Sequence, residues 1–184
     1  MTEAMKPVKP YPNFRTLYAE EIEIRVAQIT DKGAQLLLYK DARCDMAILD
    51  EECGPMGWKR SHSRDNANCI VSIYCDKLCE WVGKEDTGVE SNTEKEKGLA
   101  SDSFKRACVN WGIGRELYSA PFIWIPAEKM NIVKNERTNK PMTYDKFEVQ
   151  KIAYDDARRI TGLAIRNAKT KQLVYCYPPM EKKS

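Results

Sequence analysis

The sequence has no apolar run that approaches the roughly 18–20 consecutive residues of a membrane-spanning helix. Its opening segment, Met1 to Pro7, contains no apolar core of a signal peptide. Nine glycines, nine prolines and a mean hydropathy of −0.60 are typical of a soluble globular chain. We therefore expect a cytoplasmic protein that makes no contact with a membrane.

Histidine is nearly absent, since His62 is the single one, and the seven cysteines include no C-x-x-C pair. An odd number of thiols excludes a complete disulfide framework, and one histidine argues against a zinc ribbon. Cys75 and Cys79 lie closest to a metal-binding spacing, and any redox or metal role for them stays open. We expect reduced cysteines that pack in the core, no metal and no cofactor.

Motifs of catalysis are also missing. There is no G-x-x-x-x-G-K-[ST] loop for nucleotide hydrolysis, and the Gly112-Ile113-Gly114 segment is too short for a dinucleotide fingerprint. A Cys/His nucleophile would depend on His62, which lies between two serines in a predicted strand. We expect that the protein is not an enzyme.

Charge is unevenly distributed along the chain. Residues 1–92 hold 12 lysines and arginines against 16 acidic residues, whereas residues 93–184 hold 18 against 11. Such polarity indicates either a polyanionic partner or head-to-tail contact between copies of the chain.

The apolar patterns predict an α+β protein. Its antiparallel β-sheet packs against one long helix plus a short helix, and a β-meander follows at the C-terminal end. We expect an extended lead-in over residues 1–13 and a single domain over 14–178, with a core at 14–126 and C-terminal strands within 143–177. The predicted strands are 22–29, 36–39, 58–64, 69–75, 81–83, 121–126, 146–153, 160–167 and 172–177, the helices are 42–53 and 93–111, and a loop covers 84–92.

The long helix presents cations away from its apolar stripe. Lys105 and Arg106 lie about 100° and 200° around the helix from Phe104, which belongs to that stripe. Arg43 begins the short helix. The polar strand contributes Lys59, Arg60 and Arg64. These cations either converge on a phosphate backbone or are ordinary exposed charges.

Two blocks of sequence carry a family resemblance. The segment 97–118 reads KGLASDSFKRACVNWGIGRELY, and the segment 38–58 runs from LYKDAR through LDEECGPMGW. The first resembles the signature helix of the Rad-fifty-two/twenty-two family of single-strand annealing proteins, and the second resembles its short helix and Gly-Trp turn. The phage members, of the Sak-like type, are most similar. The resemblance covers about residues 14–126.

The resemblance implies an annealing fold whose copies form a homo-oligomeric ring with single-stranded DNA in a positively charged groove. It assigns phosphate contacts to Arg43, Lys105 and Arg106, and we add Arg60 because it lies beside Trp58. The expected function is ATP-independent annealing of complementary strands in homologous recombination and double-strand break repair. It further implies a phage or prophage source, the host cytoplasm as location, and a phage exonuclease or single-strand binding protein as a partner. The alternative is a self-assembling or DNA-end-protecting protein without annealing activity.

Overall fold

The computed structural model describes residues 11–89 and 95–179. Within them the chain forms two α-helices and eleven strands, together with three short 3-10 helices. The elements are β1 (Ile22–Thr30), β2 (Gly33–Lys40), α1 (Ala42–Cys53), β3 (Trp58–Ser63), β4 (Asn68–Cys75), β5 (Glu80–Thr87), α2 (Lys95–Trp111), β6 (Ile123–Pro126), β7 (Val133–Lys134), β8 (Pro141–Met142), β9 (Phe147–Tyr154), β10 (Ile160–Asn167) and β11 (Leu173–Tyr177). The 3-10 helices are Ala19–Glu21, Arg115–Ser119 and Ala127–Lys129.

These elements fall into two compact units. The first unit consists of two segments, the chain up to Arg15 and the segment from Ala42 to Ile113. The second comprises Thr16–Asp41 and the chain from Gly114 onward.

In the first unit, three antiparallel strands in the order β3-β4-β5 support both helices. Helix α2 packs on β4 and β5, while α1 contacts α2 and β3. Cys69, Val71 and Ile73 alternate along β4 and are buried on the side of α2. The apolar stripe of α2 supplies Phe104, Ala107 and Cys108, which are fully buried. This part of the predicted stripe is therefore the buried face of the helix.

The second unit contains a six-stranded antiparallel sheet in the order β11-β10-β9-β1-β2-β6. One face of β2 is buried through Ala34, Leu36 and Leu38, and β6 continues that face with Ile123 and Ile125. A bulge between Val26 and Gln28 shifts the register of β1 against β2. The C-terminal meander predicted from the sequence forms half of this sheet.

Two features differ from the sequence-based expectation. The strands form two separate sheets and a small β7-β8 hairpin, where the pattern predicted one sheet. The predicted loop 84–92 is wrong over its first part, because β5 continues to Thr87. Glu85, Asp86 and Thr87 pair with β4, and their polarity reflects a strand that is largely exposed to solvent. The predicted helix start at Thr93 and most of the lead-in lie outside the described residues.

Candidate nucleic-acid interface

The candidate cation Arg60 is held against an aromatic pair. It lies on the side of β3 that faces α2, and its guanidinium carbon is 4.7 Å from the centre of the Phe104 ring. Trp58, two residues earlier on the same face, stacks on that ring at 6.1 Å between centroids. The Trp58 indole in turn donates a hydrogen bond of 2.7 Å to Asp50 in α1. Stacking fixes the plane of the guanidinium while Arg60 remains exposed.

The candidate cation Arg106 is positioned from the other side of α2. Its Nε donates to Asp86 of β5 at 3.3 Å, and its side chain is 45% exposed. Asp86 also accepts hydrogen bonds from the Asn110 side chain at 3.2 Å and from the Thr87 amide at 2.7 Å. An arginine has five donors, so a contact through Nε directs the two terminal amino groups to other acceptors. Asp86 therefore orients Arg106 and offsets part of its charge.

Lys105 and Arg43 occupy different positions from these two arginines. Lys105 is half-buried on α2 and follows Phe104 directly, whereas Arg43 is exposed in the first turn of α1. All four candidate residues lie in the first unit. Arg60 lies on β3, whereas Arg106 of α2 is bound to Asp86 of β5, so these two contacts lie on the strands on either side of β4 and are offset by two residues along the sheet. The structure thus places all four candidates on α2 or on elements that contact it.

The cations of the predicted polar strand, Lys59, Arg60 and Arg64, do not lie on one face of the sheet. Arg60 pairs with Val71 on the face beneath α2, so Lys59, the next residue, points to the opposite face of the sheet. The Lys59 ammonium lies 4.2 Å from the centre of the Trp81 ring. Arg64 follows the strand in the turn to β4, with φ of 52°. Of the two alternatives left open by the sequence, convergence on one strand of phosphates does not fit Lys59 and Arg60 together, because strand alternation places them on opposite faces.

Lys84 is a cation that the sequence pattern assigned to a loop. It lies on β5 with its ammonium 4.5 Å from the Trp111 ring centre, and it donates to the Asn110 carbonyl at 2.9 Å. A cation that contacts a carbonyl in the last turn of a helix stabilises that end. The sequence shows that Lys84 is charged, but its contacts with Trp111 and Asn110 can be predicted only when the register of β5 against β4 is known.

The titratable groups near α2 have structural partners. His62 Nδ1 lies 3.5 Å from the Ser103 hydroxyl, which donates to backbone carbonyls. Burial and the neighbouring Arg60 lower the pKa of His62 below its usual 6.5. Burial raises the pKa of both Cys53 and Cys69 to about 11, so these two thiols are protonated near neutral pH. Neither thiol has the character of an activated nucleophile.

Neither a metal-binding cluster nor a membrane-spanning helix occurs within the described residues. Over 11–89 and 95–179, no group of three histidine, cysteine, aspartate or glutamate side chains is arranged to hold a metal ion. In the same part of the chain, no helix combines the length and apolarity needed to span a bilayer.

Comparison with known proteins finds similarity to a single-stranded DNA-binding protein over half of the chain. The chain is 33% identical over 93 residues to the single-stranded DNA-binding protein DdrA of Deinococcus radiodurans. The similarity covers 50% of this chain, and the chain spans less than half of the relative, 44% of its length. No protein-family model matches the chain. No solved structure is significantly similar to it either.

Proposed function

We propose that this chain binds single-stranded DNA through the phosphate backbone and acts in DNA repair. The observation that carries the proposal is the similarity over half the chain to a protein named as a single-stranded DNA-binding protein. The geometry supports it, because Arg60 and Arg106 are oriented by Phe104 and Asp86 at the surface of the first unit. Arg43 and Lys105 add cations on the two helices of that unit. Contacts of this kind bind a strand without reading its bases.

A finer proposal concerns the step after binding. The two sequence blocks that resemble the Rad-fifty-two/twenty-two family support ATP-independent annealing of complementary strands by a homo-oligomeric ring, in a phage or prophage recombination system. In that arrangement a phage exonuclease or single-strand binding protein supplies or receives the strand. DNA would follow the cations Arg43, Arg60, Lys105 and Arg106 from one copy to the next.

The test of DNA binding is fluorescence anisotropy of a labelled single-stranded oligonucleotide at several salt concentrations. For the variant Lys105→Ala/Arg106→Ala we expect affinity to fall at least about 100-fold, since two charge-assisted contacts at about 1.5 kcal/mol each are lost. The slope of log K against log salt should become shallower by about 0.7 for each lost phosphate contact. Oligomeric state should not change.

A matched control removes the same charge elsewhere. Lys32 and Lys169 are exposed residues of turns in the second unit, and Lys32→Ala/Lys169→Ala should bind nearly as the unmodified protein does. Equal losses in both variants would indicate a non-specific effect of net charge. Full binding by the Lys105/Arg106 variant would reject this site.

A self-assembling protein whose charge polarity serves contact between its own copies is the second candidate. The observation in its favour is the uneven charge of residues 1–92 and 93–184. Such a protein would form oligomers and show no salt-sensitive affinity for the oligonucleotide, so the same titration distinguishes the two functions.

A further inference from the structure

The three-stranded sheet has a second face, directed away from α2, and this face carries two adjacent exposed aromatic rings. Tyr74 and Trp81 are paired across β4 and β5, with ring centroids 5.5 Å apart and planes inclined at 67°. They lie near the end of the sheet where β4 turns into β5, and their exposures are 42% and 40%. Both rings therefore present surface to solvent.

A cation belongs to the same surface. Lys59 lies on the same face of β3, and its ammonium is 4.2 Å from the Trp81 ring centre. Contacts of this type are weak at exposed sites. Because the lysine stem is flexible, the ammonium can leave the ring for a phosphate at small cost. We call Lys59, Tyr74 and Trp81 the aromatic surface.

The residues around the aromatic surface are mostly short and polar, apart from Ile70 on β4. Ser72 pairs with Lys59 of β3 on one side and with Gly83 of β5 on the other, and these residues lie directly beside the Tyr74–Trp81 pair. Ser61 lies two residues after Lys59 on the same face of β3. All three strands fall within the described residues, and Glu85 is the one acidic side chain that they direct to this face. Its carboxylate accepts a hydrogen bond of 2.6 Å from Asn68 farther along the sheet. The rings thus adjoin a positive charge and lie apart from the acid.

We propose that the aromatic surface is a base-stacking site for single-stranded nucleic acid. This inference rests on the proposed DNA binding and adds to it a contact with bases, on a different face from the phosphate-binding cations. Tyr74 and Trp81 offer ring faces and edges to one or two unpaired bases, while Lys59 contacts the phosphate that joins them. The buried core of a protein interface is usually more apolar and depleted of charge, whereas Lys59, Ser61 and Ser72 lie beside the rings on this face. Nucleobases fit it better than a second copy of the chain.

The experiment compares two probes that differ only in their bases. One is labelled oligothymidylate, and the other is an abasic deoxyribose-phosphate oligomer with the same number of phosphates. The unmodified protein should prefer oligothymidylate by about tenfold, which is the effect of about one stacked base. Tyr74→Leu/Trp81→Leu should bind both probes equally, with an unchanged salt dependence for the abasic probe, because stacking releases no counterions.

Two further variants are controls for loss of folding and for a general effect of removing exposed aromatic side chains. Trp81→Phe retains a ring and should keep most of the preference. Tyr118→Leu/Tyr144→Leu removes two exposed tyrosines from the second unit and should keep all of it. Thermal unfolding of each variant confirms that the chain is folded.

Each other outcome decides against a different claim. Equal binding of the two probes by the unmodified protein, or a preference that survives in Tyr74→Leu/Trp81→Leu, overturns the stacking site and leaves phosphate binding intact. A change of oligomeric state in that variant with the base preference retained assigns this face to a second copy. Failure of the unmodified protein to bind either probe rejects the proposed function itself.

Discussion

At the scale of single residues, His62 lies beside Arg60 and Ser103, and its pKa can be measured directly. Burial and Arg60 lower its pKa, so the folded protein binds its proton less readily than the unfolded chain. The neutral imidazole therefore contributes stability that is present above pH 6.5 and is lost as the pH falls through the lower pKa of the folded state. Because the chain has one histidine, a single imidazole titrates. We expect an NMR titration midpoint below 6.5 in the folded protein.

The matching stability measurement uses His62→Gln, which cannot take up a proton. Urea unfolding of both proteins on the acid side of pH 6.5 should show a steeper loss of stability in the unmodified protein than in the variant. A midpoint at or above 6.5, or parallel stability curves, would show that Arg60 and burial do not control this residue.

The same residues show how far sequence could define the site. Helical periodicity alone separated Lys105 and Arg106 from the stripe that contains Phe104, because that angle depends only on spacing within one element. The partner of Arg106 could not be predicted, since Asp86 is 20 residues away and reaches it only in the register of β5. The aromatic surface escaped notice for the same reason, because Tyr74 and Trp81 become neighbours only when β4 and β5 pair.

At the scale of elements, Gly88 controls how closely the end of β5 approaches α2. A Cβ atom at this position would lie 2.6 Å from the Ser103 amide nitrogen and 2.9 Å from the Leu99 carbonyl oxygen. Both are backbone atoms of a helix, which cannot move independently. The next residue, Val89, donates its amide to Asp102 of α2 at 2.9 Å, so the chain is attached to the helix there.

We therefore expect Gly88→Ala to lower the free energy of unfolding by about 1–3 kcal/mol, as overpacking usually does. The measurement is urea denaturation followed by circular dichroism. Gly83→Ala is the control, since a Cβ there meets the tips of the Ile70 and Ser72 side chains, which can adjust. An unchanged midpoint for Gly88→Ala would mean that β5 and α2 separate at this point in solution.

The elements were predicted where apolar residues alternate or recur on one face. The helix 42–53 and the strand 160–167 have the predicted bounds. The end of β5 escaped prediction because Lys84, Glu85 and Asp86 form a polar, largely exposed strand, and its stability comes from pairing with β4. Division of the strands between two sheets is likewise a matter of long-range pairing, which local patterns do not encode.

At the scale of the whole molecule, the distribution of charge constrains how the proposed DNA binding would work. The first unit, residues 1–15 and 42–113, includes all four candidate cations and holds 13 lysines and arginines against 14 acidic residues. A unit with this balance attracts DNA weakly at long range, so affinity depends on the local placement of a few cations. Repetition of those cations in an oligomer raises the effective concentration of sites along one strand and compensates for weak single contacts. Binding and self-association are therefore expected to support each other.

Annealing adds a requirement that binding alone does not meet, because two coated strands must come together with their bases accessible. In the proposed annealing, phosphate contacts through Arg60, Lys105 and Arg106 would leave the bases available for pairing, and no ATP-driven step would be needed to expose them. We expect the protein to accelerate pairing of complementary labelled oligonucleotides at least about tenfold without ATP, measured by fluorescence energy transfer, and the Lys105→Ala/Arg106→Ala variant to lose this effect. Strong binding without acceleration would instead identify a protein that coats and protects DNA ends, since tight coverage of both strands then hinders their pairing.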